Sequence, residues 1–335
     1  MRKTMLVISM VSILAVFSFG AASCGQEGVK TDGTEMHGQA QDIIGSMQYA
    51  GVGRTYLLHL PPAYNGVDAL PLLFAFHGGG GDGEGMARVT HLNDIADERD
   101  FIVVYPDGIN NNWNDGRPEV NPGVDDVGFI SALIEELKRE YSIDAEGVYS
   151  TGISNGGMFS FRLACELSGK IAAVAPVAAL MGEDLSRTCS PPRPVPVMLI
   201  MGTEDPLVPW EGGEIGGDRL ERGRAISAPA TVSFWVEVDG CTESPVVEYL
   251  ADTDPGDRTR VRQETYSGGR DGTEVIMLAV EGGGHTWPGG EQYMRERVIG
   301  VTSYDIDAGE VIWDFCEKYR LQGVVSSIFG FVFSR

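Results

Sequence analysis

Basic residues are scarce in this chain. Its 335 residues include 25 lysines and arginines against 48 aspartates and glutamates, which gives a formal net charge of −23. A surface this acidic repels phosphate backbones and anionic lipid headgroups, so we expect no nucleic-acid partner. Neutral, apolar and weakly acidic small molecules are compatible with this charge as substrates.

Cysteines are also few, and no two of them form a C-x-x-C pair, so we expect no metal site. Cys24 lies near the N-terminus, and four cysteines follow it in the main body. An even number in an exported protein predicts two disulfide bonds. We favour the pair Cys165 and Cys189, with Cys241 and Cys316 forming the second pair. Buried free thiols are the alternative.

No apolar run is long enough to span a membrane comfortably, which takes about 20 residues. The longest candidate, Met5–Phe19, follows Arg2 and Lys3 and leads into a run of small residues, a pattern typical of a secretory signal peptide over residues 1–23. Small residues before Cys24 resemble the bacterial lipoprotein box, although Ala21 stands where Leu is usual. We therefore predict an extracytoplasmic protein lipidated at Cys24. Plain secretion and a retained anchor are the alternatives.

The rest of the chain divides into three parts. Residues 24–44 are polar and lack periodicity, which predicts a flexible tether. Residues 45–320 form one catalytic domain in our interpretation, and residues 321–335 form an apolar tail. We expect the tail to pack on the domain as an additional helix or strand. The alternative is that it contacts a membrane.

Apolar runs in the main body are continuous rather than alternating, as in Pro71–Phe76 and Phe101–Tyr105. Such runs indicate strands that are buried on both faces, as in a parallel sheet covered by helices. Helical periodicity separates the runs, for example over Asp126–Tyr141. Ser227 and Gly240 are predicted to cap a helix at its two ends. The alternation predicts a doubly wound, mostly parallel α/β sheet with helices on both faces.

One serine stands in a distinctive context. Gly152–Gly156 reads GISNG, which matches G-x-S-x-G, and it lies between a predicted strand and a predicted helix. This is the context of a nucleophile elbow. A sharp strand-to-helix turn leaves no room for side chains at the two flanking positions, which explains Gly152 and Gly156. Ser154 is therefore the predicted nucleophile.

A serine nucleophile requires a base and an orienting acid. The chain has five histidines, and only His285 follows Ser154, just after the last predicted core strand. The acid should follow an earlier strand, the one that ends at Met201, and we choose Asp205 there with Glu204 as the fallback. Serine, acid and histidine in that order are typical of α/β-hydrolases, which use no cofactor for this chemistry.

Stabilising the developing oxyanion requires two backbone N–H groups near the serine. Asn155, directly after the nucleophile, is expected to supply one of them. The glycine run after His77 matches the HGGG type of oxyanion loop, and Gly78 or Gly79 is the expected second donor. We assign His77 an anchoring role in this loop rather than a catalytic one.

Taken together, these segments resemble the polyhydroxybutyrate depolymerase and feruloyl esterase family of α/β-hydrolases, from about Arg54 to Tyr319. The resemblance implies the triad Ser154, Asp205 and His285, and the hydrolysis of hydroxyalkanoate esters or of aromatic and acetyl esters on plant polysaccharide. The matching segments are HGGGG at His77, YPDG at Tyr105, DDVGFI at Asp125, GISNGGM at Gly152, APVAA at Ala175, PVPVMLIMGTEDPLVPW around Val195 and GGGHTWPGG at Gly282.

The chain departs from polymer-degrading relatives because it shows no polymer-binding module or linker, which favours soluble oligomers and small esters as substrates of a monomeric enzyme. Trp113, Trp210 and Trp287 lie on loops beside the catalytic segments and are predicted to line the substrate pocket, with ordinary packing as the alternative. Two other functions remain open: a serine peptidase of the prolyl-oligopeptidase type, and an inactive lipoprotein that binds polysaccharide.

Overall fold

A ten-stranded sheet forms the centre of the computed structural model, which describes residues 38–216 and 222–321. The predicted signal peptide, the lipidation site at Cys24, most of the tether and all but the first residue of the tail lie outside the described residues. None of the helices in the described part of the chain combines the length and the apolar character needed to cross a membrane.

The strands of the large sheet alternate with helices along most of the chain, and a separate two-stranded sheet is formed by β8 and β9. The strands are β1 Gln41–Tyr49, β2 Val52–Leu60, β3 Leu70–Phe76, β4 Ile102–Pro106, β5 Ile143–Ile153, β6 Ala173–Val177, β7 Val197–Gly202, β8 Gly213–Glu214, β9 Arg224–Ala225, β10 Val246–Tyr249, β11 Arg260–Tyr266 and β12 Val275–Glu281. The helices are α1 Gly83–Thr90, α2 Leu92–Arg99, α3 Asp126–Glu140, α4 Asn155–Glu166, α5 Glu183–Thr188, α6 Ala228–Asp239, α7 Glu296–Ile299 and α8 Ala308–Cys316.

The strand order in the large sheet is β1-β2-β4-β3-β5-β6-β7-β12-β11-β10. The six strands from β4 to β12 in this order are parallel to their neighbours, and an antiparallel pair completes the sheet at each side. Because parallel strands end at the same edge, the loops after β5, β7 and β12 emerge together. This edge carries the predicted catalytic residues.

Helices cover both faces of the sheet, and each face has its own apolar core. Side chains of α3, α4 and α6 pack on one face, while those of α1, α2 and α8 pack on the other. Strand β6 is buried along its whole length and β5 over its C-terminal seven residues, as expected for strands covered on both sides. The predicted doubly wound, mostly parallel α/β-hydrolase fold in a single domain is confirmed.

The domain begins earlier than predicted, because β1 starts at Gln41, inside the range assigned to the tether. Its residues alternate between half-buried and exposed, and Ile43, Met47 and Tyr49 pack against the core. Strand β1 pairs with β2 along its full length, from Gln41 opposite Leu60 to Tyr49 opposite Val52. Cross-strand pairing with an apolar partner therefore orders a segment whose own composition is largely polar.

Local signals at α6 were read correctly from the sequence. The Ser227 hydroxyl accepts a hydrogen bond from the Ala230 backbone N–H at 3.2 Å, and Gly240 ends the helix in the left-handed conformation with φ 70°. Both predicted caps are confirmed. A left-handed residue at this position favours glycine, because a Cβ atom is strained there.

One of the two predicted disulfides is present. Cys165 on α4 is bonded to Cys189, which follows α5, so the predicted pair is confirmed. The second predicted bond is wrong, because Cys241 and Cys316 are free thiols in the described residues. Cys241 packs against the core on one face of the sheet and Cys316 is buried in the core of the other face, so the sheet itself lies between them.

Candidate active site

Ser154 stands at the sharp turn between β5 and α4. Its backbone has φ 56° and ψ −122°, a combination that non-glycine residues rarely adopt, and its N–H donates to the Val177 carbonyl at 2.9 Å. A Cβ atom on Gly156 would lie 2.2 Å from the Phe76 carbonyl oxygen, and one on Gly152 would lie 2.6 Å from the Gly156 carbonyl carbon. The predicted crowding is confirmed, since both positions exclude any side chain.

Asp205 and His285 form a buried hydrogen-bonded pair. Asp205 follows β7, His285 follows the neighbouring strand β12, and Nδ1 of His285 lies 2.7 Å from Oδ2 of Asp205. Both side chains are almost completely buried. The other carboxylate oxygen of Asp205 accepts hydrogen bonds of 2.8 Å from the backbone N–H groups of Leu207 and Val208. The carboxylate therefore holds the histidine with its proton on Nδ1 and leaves Nε2 free to accept another.

The loops that carry this pair are packed directly against each other. A Cβ atom on Gly202 would lie 2.4 Å from the carbonyl oxygens of both Gly283 and Gly284, and the Glu204 N–H donates to the Gly283 carbonyl at 3.0 Å. The side chain of Glu204 is exposed, whereas Asp205 is buried against the histidine. Of the two acidic residues considered from the sequence, the structure therefore pairs Asp205 with the base.

The glycine loop after β3 lies beside the serine. A Cβ atom on Gly78 would lie 3.4 Å from Cβ of Ser154, and one on Gly79 would lie 3.8 Å from Cβ of Asn155. Within residues 38–216 and 222–321, no acceptor is hydrogen-bonded to the backbone N–H groups of Gly78, Gly79 or Asn155. These groups are therefore available to a substrate oxygen, as an oxyanion hole requires.

His77 fixes this loop through both of its ring nitrogens. Nδ1 donates to the Gly78 carbonyl at 2.8 Å, and Nε2 accepts from the Gly108 backbone N–H at 3.0 Å. The side chain is almost completely buried, and this burial lowers its pKa. Only the neutral ring can donate at one nitrogen and accept at the other. His77 thus connects the loop after β3 with the turn after β4.

The Ser154 hydroxyl has no hydrogen-bond partner in the part of the chain that the structure describes. The serine and the Asp205–His285 pair therefore share one edge of the sheet without being hydrogen-bonded to each other. Hydrogen bonds to a catalytic nucleophile are often long before substrate binds. The edge carries a strained serine, an oriented imidazole and unpaired N–H donors, which together are the components of acyl transfer.

Comparisons with known proteins identify the family of this chain. The family model described as "Esterase PHB depolymerase" matches residues 54–192, which include Gly78 and Ser154 and end before Asp205. The chain is 34% identical over 277 residues to the protein named "Putative esterase NocK" from Nocardia uniformis subsp. tsuyamanensis, covering 79% of this chain and 80% of that protein. The chain belongs to the PHB depolymerase esterase family. It is a carboxylic ester hydrolase.

Further comparisons extend the similarity to other esterases. The chain is 29% identical over 246 residues to Feruloyl esterase B from Piromyces equi, covering 69% of this chain but only 42% of that protein. Among solved structures, an acetyl xylan esterase from Aspergillus awamori has a TM-score of 0.50 at 18% identity, covering 74% of this chain and 94% of that one. A thermostable esterase has a TM-score of 0.54 at 17% identity, covering 83% and 63%. The two structures show the shared fold.

Asn155, the residue after Ser154, also connects parts of the esterase through its side chain. The amide oxygen of Asn155 accepts from the Trp113 backbone N–H at 2.7 Å, and its amide nitrogen donates to the Trp113 carbonyl at 2.9 Å and to the Asp115 carboxylate at 2.6 Å. Asp115 in turn binds the guanidinium of Arg117, which donates to the Arg222 carbonyl. The elbow is thereby connected to two loops outside the sheet.

A cleft of about 280 Å³ opens beside Ser154 in the esterase. Its described walls combine amides, charged groups and a few aliphatic side chains, with no aromatic ring among them. Of the residues that line this cleft, the sequence analysis had assigned only Ser154 and Asn155 to the site. The close spacing of Asp115 and Arg117 in the sequence was the one signal for the buried ion pair that they form. The described lining residues are Asn112, Arg117, Glu119, Val120, Asn121, Ser154, Asn155, Met158, Ile215 and Arg222.

The predicted tryptophan lining is wrong, because none of the three residues lines the described cleft. Trp113 and Trp287 are completely buried. The Trp113 ring stacks on Phe159 with centroids 5.2 Å apart, and its indole N–H donates to the His77 carbonyl at 3.2 Å. Trp210 is half-buried and packs against the core rather than lining the described cleft. Large rings fill the space behind the active-site loops because leaving that space empty would cost packing energy.

Proposed function

We propose that this esterase cleaves its substrates through an acyl-enzyme formed on Ser154. His285 removes the proton from the serine hydroxyl as Oγ attacks the ester carbonyl, and Asp205 stabilises the resulting imidazolium. The N–H groups of Asn155 and of Gly78 or Gly79 receive the negative oxygen of the tetrahedral intermediate. His285 then protonates the departing alcohol, and water hydrolyses the acyl group by the reverse sequence of proton transfers.

The observation that carries this proposal is the 2.7 Å hydrogen bond between His285 and Asp205, buried at the sheet edge where Ser154 occupies a strained turn. A buried carboxylate in this position has a clear chemical role, since it sets the imidazole tautomer needed for a general base. The glycine loop contributes electrostatic stabilisation, and each such donor is worth roughly 2.7–4 kcal/mol in the transition state.

Small soluble esters are the proposed substrates, with hydroxybutyrate oligomers and feruloyl or acetyl esters of plant polysaccharide as the candidate classes. Support comes from the family, from relatives named feruloyl esterase, and from a cleft whose volume lies near the lower end for ligand sites. Parallel assays of methyl ferulate, acetylated xylan and hydroxybutyrate oligomers would rank these classes directly.

Substitution of the nucleophile tests the mechanism. Ser154→Ala should lower kcat for p-nitrophenyl acetate by at least about 10⁴-fold, because the residual rate comes from binding and oxyanion stabilisation alone. The exposed Ser190 provides a matched control, and Ser190→Ala should retain activity. A fluorophosphonate probe should label the wild type and the control but not Ser154→Ala. Full activity in Ser154→Ala would refute the mechanism.

Export and anchoring through Cys24 belong to the same proposal. The charged start, short apolar run and small residues before Cys24 support processing to a lipidated N-terminal cysteine. Radiolabelled palmitate should be incorporated into the wild-type protein in a bacterial host and not into Cys24→Ser. Incorporation into both proteins, or into neither, would contradict lipidation at this cysteine.

A further inference from the structure

Arginine side chains line the cleft beside Ser154, although the protein as a whole is strongly acidic. The chain carries 48 acidic against 25 basic residues, yet the described charged residues of the cleft are Arg117, Arg222 and one acid, Glu119. A strongly negative protein repels anionic substrates at long range. An exposed basic group at the place where substrate must bind therefore points to a local function.

The two arginines have different roles. Arg117 is almost completely buried, its Nε and Nη2 groups bind the Asp115 carboxylate, and its Nη1 group donates to the Arg222 backbone carbonyl. Its charge is thus balanced within the protein, and its remaining donor holds the neighbouring loop. Arg222 is exposed and contributes its side chain to the cleft. Within residues 38–216 and 222–321, Arg222 and Glu119 form no ion pair with each other.

The guanidinium of Arg222 lies against the oxyanion loop. Its Nη1 atom is 3.3 Å from the position that a Cβ atom on Gly79 would occupy, and Asn112 Oδ1 is 2.9 Å from the same point. Gly78 in turn lies beside Ser154. A substrate with its carbonyl oxygen at this loop would place atoms a few bonds away within reach of Arg222.

We propose that Arg222 binds a free carboxylate carried by the ester substrate. The inference rests on the proposed function and specifies its substrate class as esters with a short aliphatic spacer that ends in a carboxylate. Val120, Met158 and Ile215 provide apolar wall for the spacer, and the guanidinium provides paired N–H donors that match carboxylate geometry. Such a carboxylate can belong to the acyl part, as in a half-ester of a dicarboxylic acid, or to the alcohol part, as in an acylated hydroxy acid.

Two pairs of substrates separate these sources. Monomethyl glutarate and dimethyl glutarate differ by a carboxylate on the acyl side, whereas 3-acetoxybutyrate and its methyl ester differ by a carboxylate on the alcohol side. For at least one pair, the wild type should hydrolyse the ester that carries the free carboxylate with the higher kcat/KM. Arg222→Gln should lower the ratio of kcat/KM for the acidic ester to that for the neutral ester by about tenfold or more, mainly by raising KM for the acidic ester. Arg222→Lys should retain part of the preference.

The matched control is Arg224→Gln. Arg224 is exposed nearby on β9, but it pairs with Glu183 and Glu214 instead of lining the cleft, so its loss should leave the acid-to-neutral ratio unchanged. An unchanged ratio in Arg222→Gln, with neutral esters still hydrolysed, would overturn this inference alone. Absence of hydrolysis of every ester by the wild type would overturn the proposed function, and this inference with it.

Discussion

The hydroxyl group of Tyr293 donates a hydrogen bond of 2.7 Å to the backbone carbonyl of His285. On the other side of the same residue, the His285 N–H donates to the Ile299 carbonyl at 2.5 Å. Burial of the hydroxyl, together with the nearby charge of Asp205, raises the pKa of Tyr293. The segment after His285 therefore holds the backbone of the histidine from both sides.

Tyr293→Phe removes only the hydroxyl and leaves the His285 carbonyl without this partner. Loss of one partly buried hydrogen bond is worth about 1 kcal/mol, so we expect kcat to fall about fivefold while KM changes little. Steady-state kinetics on p-nitrophenyl acetate would measure this split. The exposed Tyr304 is the control, and Tyr304→Phe should behave as wild type. Equal kinetics for both variants would show that the bond does not position the histidine.

His77 should make the fold sensitive to acid. Burial lowers its pKa, so below about pH 6.5 the unfolded chain binds a proton that the folded protein does not, and stability falls as the pH falls. His77→Gln can keep a donor and an acceptor but does not titrate. We expect its free energy of unfolding to depend less on pH between 7.5 and 5.5, by up to about 1.4 kcal/mol per pH unit.

Urea unfolding at the two pH values measures this difference. The control is His91→Asn, which replaces an imidazole whose side chain is about half accessible to solvent, and its free energy of unfolding at pH 7.5 should be close to that of the wild type. A His77→Gln variant with the wild-type pH dependence would mean that His77 becomes protonated as readily in the folded as in the unfolded chain.

Asp239 is expected to act in the opposite direction. It is completely buried at the end of α6, where one oxygen accepts from the Val195 N–H at 2.9 Å and the other has no partner in the described residues. Burial raises its pKa to about 7, and the nearby positive charges of Arg270 and Arg193 offset only part of this rise. Between about pH 4 and pH 7 the folded state keeps a proton that the unfolded chain releases, so stability falls as the pH rises.

Asp239→Asn keeps an oxygen for Val195 and removes the buried charge. We expect the variant to be more stable than wild type at pH 8, by on the order of a few kcal/mol, and nearly equal to it at pH 4. Chemical denaturation at both pH values would measure the two differences. A variant that is destabilised equally at pH 4 and pH 8 would show that the carboxylate is not a source of pH-dependent instability.

The Cys165–Cys189 disulfide closes a loop with a sequence separation of 24 residues. Removing it by the double substitution Cys165→Ala and Cys189→Ala should lower the free energy of unfolding by about 3 kcal/mol, mainly because the unfolded chain gains freedom. Cys241→Ala, which removes a half-buried free thiol, is the control and should cost much less. Equal losses in the two variants, measured by urea unfolding, would contradict a stabilising role for the bond.

The fold and the geometry of the turn at Ser154 could be predicted because their signals are local. A sharp strand-to-helix turn brings backbone atoms so close to Gly152 and Gly156 that neither position has room for a side chain. Continuous apolar runs indicate parallel strands that are buried on both faces. The order of Ser154, Asp205 and His285 follows the order of the strands that precede them. Each of these features is encoded within a few residues.

Features that depend on distant parts of the chain were missed or assigned wrongly. The burial of Trp113 and Trp287 depends on the packing of loops whose course was unknown. Cys316 was expected to meet Cys241, but the sheet separates them. Arg222 reaches the cleft because Arg117, more than a hundred residues earlier, holds its backbone. No pattern in the immediate sequence of Arg222 marks this position.

The walls of the cleft and the reactive groups come from different segments of the chain. Apart from the elbow and the first turn of α4, the described walls are formed by residues 112–121, between β4 and α3, and by Ile215 and Arg222, which lie between β8 and β9 in the sequence. The imidazole, its carboxylate and the glycine loop lie elsewhere. Substitutions in these two connections can therefore change which esters bind while His285, Asp205 and the glycine loop stay the same. The two connections are thus the positions at which substrate specificity can diversify, in nature and in laboratory evolution.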